Sequence, residues 1–305
     1  MKLELIWIIY KSCNENAKNE ALKCSQNLIS LGIKVKTVES HLEENSLPHP
    51  LKENRKLPNL IVVLGGDGTV LNAARHFAKH NIPIISFNVG GNLGFLTHDK
   101  QLLKDKYLWN KISQNHFSIK NRMMLEGSVQ ISSKGNEKVQ RDNLFWSLND
   151  IYFRSYRDEI SPTCTLELEI DGESVDVYRG DGVIISSPTG STAYSMATGG
   201  PILHPSIEAI IVSPICPISL ASRPIVVPAE SKLIIRPREG KSPRVKIWQD
   251  GVSNALINAG EQCVIQKAKH YAQMLILEQR ASYYRTLNQK LHWAGSLAEN
   301  PIEQL

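Results

Sequence analysis

The sequence predicts a mixed α/β fold in two parts, a parallel α/β domain followed by a β-rich one. Three observations point there. Short apolar runs rich in β-branched residues alternate with helix-length segments through the first third of the chain, the pattern of a parallel sheet covered on both faces. From Phe117 to about Gln279 the texture changes to short alternating runs between turn residues. Within that stretch Asp171-Gly172 and Asp250-Gly251 adjoin strand-like segments and suit two-residue hairpin turns.

In order, Leu3 to Ile9 reads as a strand, Asn14 to Leu31 as a helix closed by Gly32, and Ile33 to Val38 as a second strand. Residues 39–58 are polar, contain three prolines and read as a loop. Leu60 to Leu64 is a fully apolar run of buried-strand type, Val70 to about Lys79 a helix, and Ile82 to Phe87 a further strand. Lys100 to Asn115 reads as one more helix, which closes a first domain at residue 116. A second domain then spans 117–281, with strands at Val129–Ile131, Leu166–Ile170, Val183–Ile185 and Leu233–Ile235. The tail, 282–305, is helix-like from Ser282 to His292 and is expected to pack back on the first domain.

At 305 residues, 42% hydrophobic and 21% charged, the chain can build two buried cores. Its formal charge of +5 is spread out, which points to a mildly cationic site for phosphorylated ligands and not to a nucleic-acid surface. Five cysteines without metal-ligand spacing suggest free thiols in a reducing compartment. Met1-Lys2 runs straight into a strand, and no run of about 18 apolar residues occurs. The expected location is therefore cytoplasmic, without a membrane span. The scattered histidines and tryptophans read as structural residues.

The chemistry concentrates in four motifs. Gly65-Gly66-Asp67-Gly68-Thr69 lies between a strand and a helix, where sheets of this type bind ligands. Glycines there let backbone amides approach an anion, and the helix start adds a positive dipole end. A carboxylate in such a cradle repels phosphate, so Asp67 must either hold a cation or take a proton from a hydroxyl, as phosphoryl transfer requires. The block from Ser186 to Pro201 is dense in hydroxyls and glycines and follows Arg179-Gly180-Asp181-Gly182. It offers many donors to a ligand. Asn149-Asp150 sets two polar residues between apolar runs, suited to ribose hydroxyls or an adenine edge. Finally, Asn88-Val89-Gly90-Gly91-Asn92-Leu93-Gly94-Phe95-Leu96 leaves a strand on the same rim as Asp67. It is not the first-strand fingerprint of a hydride-transferring enzyme, and Tyr10-Lys11-Ser12-Cys13 stands where that fingerprint would be.

Taken together, the Gly65–Thr69 motif, Asn149-Asp150, the Pro188-Thr189-Gly190-Ser191-Thr192-Ala193-Tyr194 block with Gly199-Gly200-Pro201, the Asp250-Gly251 hairpin and the tail from Tyr284 to Trp293 resemble the NAD kinases, in the same order and over nearly the whole chain. The resemblance implies an N-terminal Rossmann-like α/β domain, a C-terminal β-sandwich-like domain and an active site in the cleft between them. It implies phosphoryl transfer from ATP with Mg²⁺, carried through the phosphates, to the 2′-hydroxyl of the adenosine ribose of NAD, giving NADP. It also implies a homodimer or homotetramer.

By motif position, Asp67 would be the catalytic base. Gly65, Gly66, Gly68 and Thr69 would face phosphate. Asn149, Asp150, Phe95, Asp181, Thr192, Ala193, Tyr194 and Asp250 would bind NAD, and Arg179 would face phosphate. Three positions depart from common members: Asp150 stands where many carry Glu, Ala197 where many carry Ser, and the 88–96 loop is one residue longer. A lipid kinase of the diacylglycerol type would share Asp67 and its glycines but would not carry the Thr189–Tyr194 block. A non-catalytic NAD sensor would gain nothing from the base.

Overall fold

A computed structural model describes residues 1–41, 56–90, 94–131, 144–156, 163–238, 244–277 and 283–291. β1 (Leu5–Lys11) leads into α1 (Glu15–Ser30). The helix starts where it does because the Asn14 side chain accepts the Ala17 amide at 2.9 Å, and it stops where Gly32 turns to φ +79°. β2 (Lys34–Ser40), β3 (Leu60–Leu64), α2 (Asp67–Phe77) and β4 (Ile84–Asn88) follow. α2 begins at Asp67 itself, three residues before the apolar run begins. Gly66 supplies the extended cap, and the acidic side chain suits the first turn of a helix. β5 (His98–Asp99) is a short addition to β4.

The single helix expected over 100–115 is instead a 3₁₀ turn, Lys100–Lys104, and a short α3 (Leu108–Ser113). The break falls at Asp105, whose carboxylate accepts the Tyr107 amide at 2.9 Å and so restarts the chain. Most of the 39–58 loop, the stretch 91–93 and the tail beyond Leu291 lie outside the described residues.

From Ser118 the chain is almost all strand: β6 (Ser118–Ile131), β7 (Leu144–Ser147), β8 (Asp150–Ser155), β9 (Cys164–Ile170), β10 (Glu173–Gly180) and β11 (Gly182–Ser186). After the short α4 (Tyr194–Ala197) come β12 (Ala209–Ile215), β13 (Ile225–Pro228), β14 (Leu233–Pro237), β15 (Arg244–Gln249), β16 (Val252–Asn258) and β17 (Glu261–Ile276). α5 (Tyr283–Leu291) closes the described chain. At both Asp-Gly hairpins the two residues take positive φ, 52° and 91° at 171–172 and 47° and 81° at 250–251, as the tight primed turn demands.

One sheet, ordered β13-β12-β11-β8-β15-β16, is antiparallel throughout. The other, ordered β10-β9-β14-β17-β4-β3-β1-β2, crosses from the β-rich part into the parallel part. β17 makes that crossing: it pairs with β6 along its length, with β14 near its start and with β4 through Met274 and Ile84. A bulge over 268–270 separates the two stretches of β17.

Three apolar cores follow from this layout. One fills the sandwich between the two sheets, with Phe153, Ile185, Ile235 and Ile265 at its centre. A second lies under α1 and α3. The third lies under α2 and joins Trp7, Ile61 and Phe77 to Met124, Leu148 and Ala272 from the β-rich part.

A buried ion pair ties the same two regions. Arg75 on α2 reaches Asp250, in the β15–β16 turn, at 3.1 Å, with side chains 4% and 0% exposed. Such a pair holds its place only when both charges are otherwise satisfied. Here Asp250 also accepts the Ser147 hydroxyl and the amides of Leu148 (3.1 Å) and Asn149 (2.7 Å), while Arg75 also donates to Asn72 at 3.3 Å. Asn72 in turn donates to Ser40 at the end of β2. Removing the cation leaves a buried carboxylate uncompensated. We therefore expect Arg75→Leu to lower the unfolding free energy by about 3–5 kcal/mol in urea titrations; a loss below about 1 kcal/mol would show that the pair does not tie the halves together.

Candidate active site

Asp67 is the first residue of α2, at the carboxyl end of β3. Its two oxygens are held by a loop from the neighbouring strand: the Phe95 amide donates to one at 2.8 Å and the Leu96 amide to the other at 3.1 Å. That loop is fixed in turn by Ser86 of β4, whose hydroxyl donates to the Leu96 carbonyl, and by Thr97, which accepts the Gly94 amide at 3.2 Å. Gly94 allows the approach. A Cβ there would lie 1.7 Å from an Asp67 oxygen. Burial pushes the Asp67 carboxyl up from the usual range, while the two amides and the ammonium of Lys290 oppose the shift. The result is a carboxylate that remains available as a base but is more basic than one in water.

Gly65 and Gly66 differ in use. A side chain on Gly65 would strike the Thr69 hydroxyl at 2.5 Å, whereas one on Gly66 would meet nothing within 4 Å. Gly65 serves packing, then, and Gly66 opens the surface before the helix. The Cβ of Lys11, at the end of β1, also lies close, 3.3 Å from where a Gly65 side chain would begin.

The second half of the site is built on Asp250. Its acceptor set orders the backbone from 148 to 150, so the Asn149 carbonyl faces the block and receives the Ser187 amide at 2.8 Å. Gly190 packs so tightly here that a Cβ would sit 2.1 Å from that carbonyl. The Asn149 side chain has no hydrogen bond among the described residues and is partly exposed. Asp150 is 3% exposed, and burial together with the nearby Asp250 pushes its carboxyl up to about 8. At neutral pH Asp150 is therefore largely protonated and can donate a hydrogen bond.

The hydroxyl-rich block uses most of its hydroxyls on itself. Ser187 donates to Leu148, Ser191 to Pro188 at 2.7 Å, and Ser195 pairs with Ser213 at 3.0 Å. Those serines are fully buried and shape the loop without offering donors to a ligand. Thr192, Ala193 and Tyr194 are partly exposed, the last packed edge-on against Tyr152 at 5.1 Å between ring centroids.

Two features link the block to Asp67. The Arg75–Asp250 pair is one. The other is α5, which carries Tyr283, hydrogen-bonded to the Leu203 carbonyl at 3.1 Å, and Lys290, whose Nζ lies 5.4 Å from the centre of the Phe95 ring. Seven residues of helix span about 10 Å. Arg122 of β6 stands near Tyr283 with its Nε buried and without a partner among the described residues.

Arg179 and Asp181 are not brought to this place. They flank the start of β11, while Asn149 and the block meet its other end. The five residues of β11 separate Asp181 from Ser187, a span of about 20 Å. Sequence reasoning gave no role to Gly94, Arg75 or Lys290. A lone arginine on the apolar face of α2 is the one signal that could have been read.

A partly desolvated carboxylate, braced by amides beside an open glycine turn, suits removal of a proton from an attacking hydroxyl, and it puts the protein among the kinases. Comparison with known proteins narrows the class. Residues 7–116 match the ATP-NAD kinase N-terminal domain and residues 148–277 the ATP-NAD kinase C-terminal domain. The chain is 66% identical over 300 residues to NAD kinase 1 of Prochlorococcus marinus, covering 98% of each chain. It is 51% identical to NAD kinase 1 of Parasynechococcus marenigrum, covering 97% of this chain and 98% of the other. The chain belongs to the NAD kinase family. Two solved structures share its fold: yeast NADH kinase complexed with NADH, at a TM-score of 0.81, 24% identity and coverage of 98% and 90%, and an NAD kinase from Archaeoglobus fulgidus in complex with ATP, at 0.69, 22% and coverage of 94% and 98%.

Because only hydrogen fits at position 94, Gly94→Ala should displace the Asp67 carboxylate while leaving the sheet intact. We expect a loss of turnover of about 100-fold, in line with small misplacements at a reacting centre, with an unchanged circular-dichroism spectrum. Wild-type turnover in that variant would mean the loop does not set the carboxylate.

Proposed function

We propose that the chain transfers the terminal phosphoryl group of ATP to the 2′-hydroxyl of the adenosine ribose of NAD, with Asp67 as the general base. The carrying observation is the Asp67 carboxylate, braced by the Phe95 and Leu96 amides and made more basic by burial. The proton of the 2′-hydroxyl passes to Asp67 as its oxygen bonds to phosphorus. The bond from phosphorus to the bridging oxygen breaks, and ADP leaves with that electron pair. The ATP bound to the Archaeoglobus fulgidus protein and the NADH bound to the yeast one are consistent with both substrates.

Asn149 and protonated Asp150 hold the adenosine, one accepting and donating, the other donating. Thr192, Ala193 and Tyr194 line the ring positions, and Phe95 walls the pocket. Gly66, Gly68 and the start of α2 face the donor phosphates. Asp250 acts from beneath, since its carboxylate is occupied by Arg75 and the 147–150 backbone. Among the described residues no group of three or more His, Cys, Asp or Glu could hold a metal. A divalent cation carried on the phosphates, such as Mg²⁺, would neutralise charge on the transferred group. No described helix is long and apolar enough to cross a membrane, and the five cysteines are unpaired thiols.

Asp67→Asn should fold and bind NAD yet form NADP about 10²–10⁴-fold more slowly in a coupled assay with ATP and Mg²⁺; near-normal turnover would remove the base assignment. Arg179 and Asp181 stand a strand length away, so we assign their substrate contact to a second copy of the chain in a homo-oligomer. Mixing Asp67→Asn chains with Asp181→Ala chains should then recover activity that neither has alone, and no recovery would return both residues to a structural role.

A further inference from the structure

α5 presents one face to the site. Tyr283, Leu287 and Lys290 recur at the spacing of a single helical stripe. Tyr283 is tied to the Leu203 carbonyl, and Leu287 is buried. Tyr284, off that stripe, is largely exposed. Two turns beyond the Tyr283 anchor, the Lys290 ammonium lies over the Phe95 ring. Phe95 is also the residue whose amide grips Asp67. Ammonium, ring and carboxylate thus lie in one contact series that begins on the last described helix and ends at the base.

Packing explains this placement poorly. A cation over phenylalanine is a weak contact, and Lys290 forms no ion pair with a carboxylate among the described residues. Its charge is spent on no protein partner, although it acts on Asp67. Beyond the glycine turn and the start of α2, the groups nearest Asp67 leave little for the developing negative charge. The Phe95 and Leu96 amides are already occupied by Asp67, and Arg75, the charged residue of α2 on the protein side, is turned to Asp250. An ammonium at the Phe95 ring, close enough to act on Asp67, is suited to meet that charge as it forms.

We propose that Lys290 is a further catalytic residue, contacting the phosphoryl oxygens during transfer; this rests on the reading of Asp67 as the base. The same positive charge, delivered by α5, also favours the ionised form of Asp67 beforehand. The hydroxyl proton goes to Asp67, not to Lys290, so the lysine stays protonated through the step.

The test compares Lys290→Met and Lys290→Arg with Asp67→Asn in the full chain, measuring NADP formation against pH and NAD binding by calorimetry. Lys290→Met should lower kcat by about 10- to 100-fold while NAD affinity stays within about threefold. Its acid limb in kcat/KM should move to higher pH, because loss of the positive charge lets the Asp67 carboxyl rise further. Lys290→Arg should restore most of the rate and the position of that limb. A wild-type kcat with an unmoved acid limb in Lys290→Met would overturn the proposal, as would a loss of rate matched by an equal loss of NAD binding. If Asp67→Asn is inactive while Lys290→Met is normal, the lysine assignment alone falls. If Asp67→Asn is fully active, the reading of the base falls first.

Discussion

The Asp250 carboxylate is where the two parts of this protein depend on each other. It lies in a hairpin turn of the β-rich part, yet its counter-ion comes from α2, the helix that Asp67 begins. The donors around it fix the backbone that carries Asn149 and Asp150. One buried carboxylate therefore ties the helix of the base to the residues proposed to hold the acceptor. Burial, with the same negative charge adding to it, pushes the Asp150 carboxyl up.

The site reaches its shape through backbone approach more than through side-chain reach. Gly94 lets a loop close on Asp67, and Gly190 lets the block close on the Asn149 carbonyl, each at a distance no Cβ would allow. The buried serines of the block then fasten it to its neighbours.

Much of this was legible in sequence, and the limits have a physical pattern. β3, the turn at Asp67 and both Asp-Gly hairpins were legible because their signals are local: an apolar run, a glycine pair and residues that tolerate positive φ. The role of Asp250 was not, since its partners stand about 100 residues away on one side and 175 on the other. Neighbours in sequence also part in space. Arg179 and Asp181 lie close to the block in sequence, but the straight run of β11 carries them to its far end. The hydroxyl count of the block overstated its donors, because a sequence cannot say which hydroxyls are consumed internally. The spacing of α5 announced a helix and hid which end would meet the carboxylate.

β17 has a consequence for how the molecule is made. The parallel strands β1 to β4 are complete by residue 88, yet the strand that pairs with β4 from the β-rich part comes at 261–276. On a ribosome, the edge of β4 must therefore wait, with only the two residues of β5 beside it, while most of the chain emerges. An uncovered edge is an invitation to wrong pairing. Its brevity, five residues flanked by a glycine-rich exit, limits that hazard. Since α5 follows β17 directly, the sheet is sealed and Lys290 delivered by nearly the same stretch of polypeptide. Closing that edge and placing α5 near Asp67 thus both fall to a late stretch of the chain.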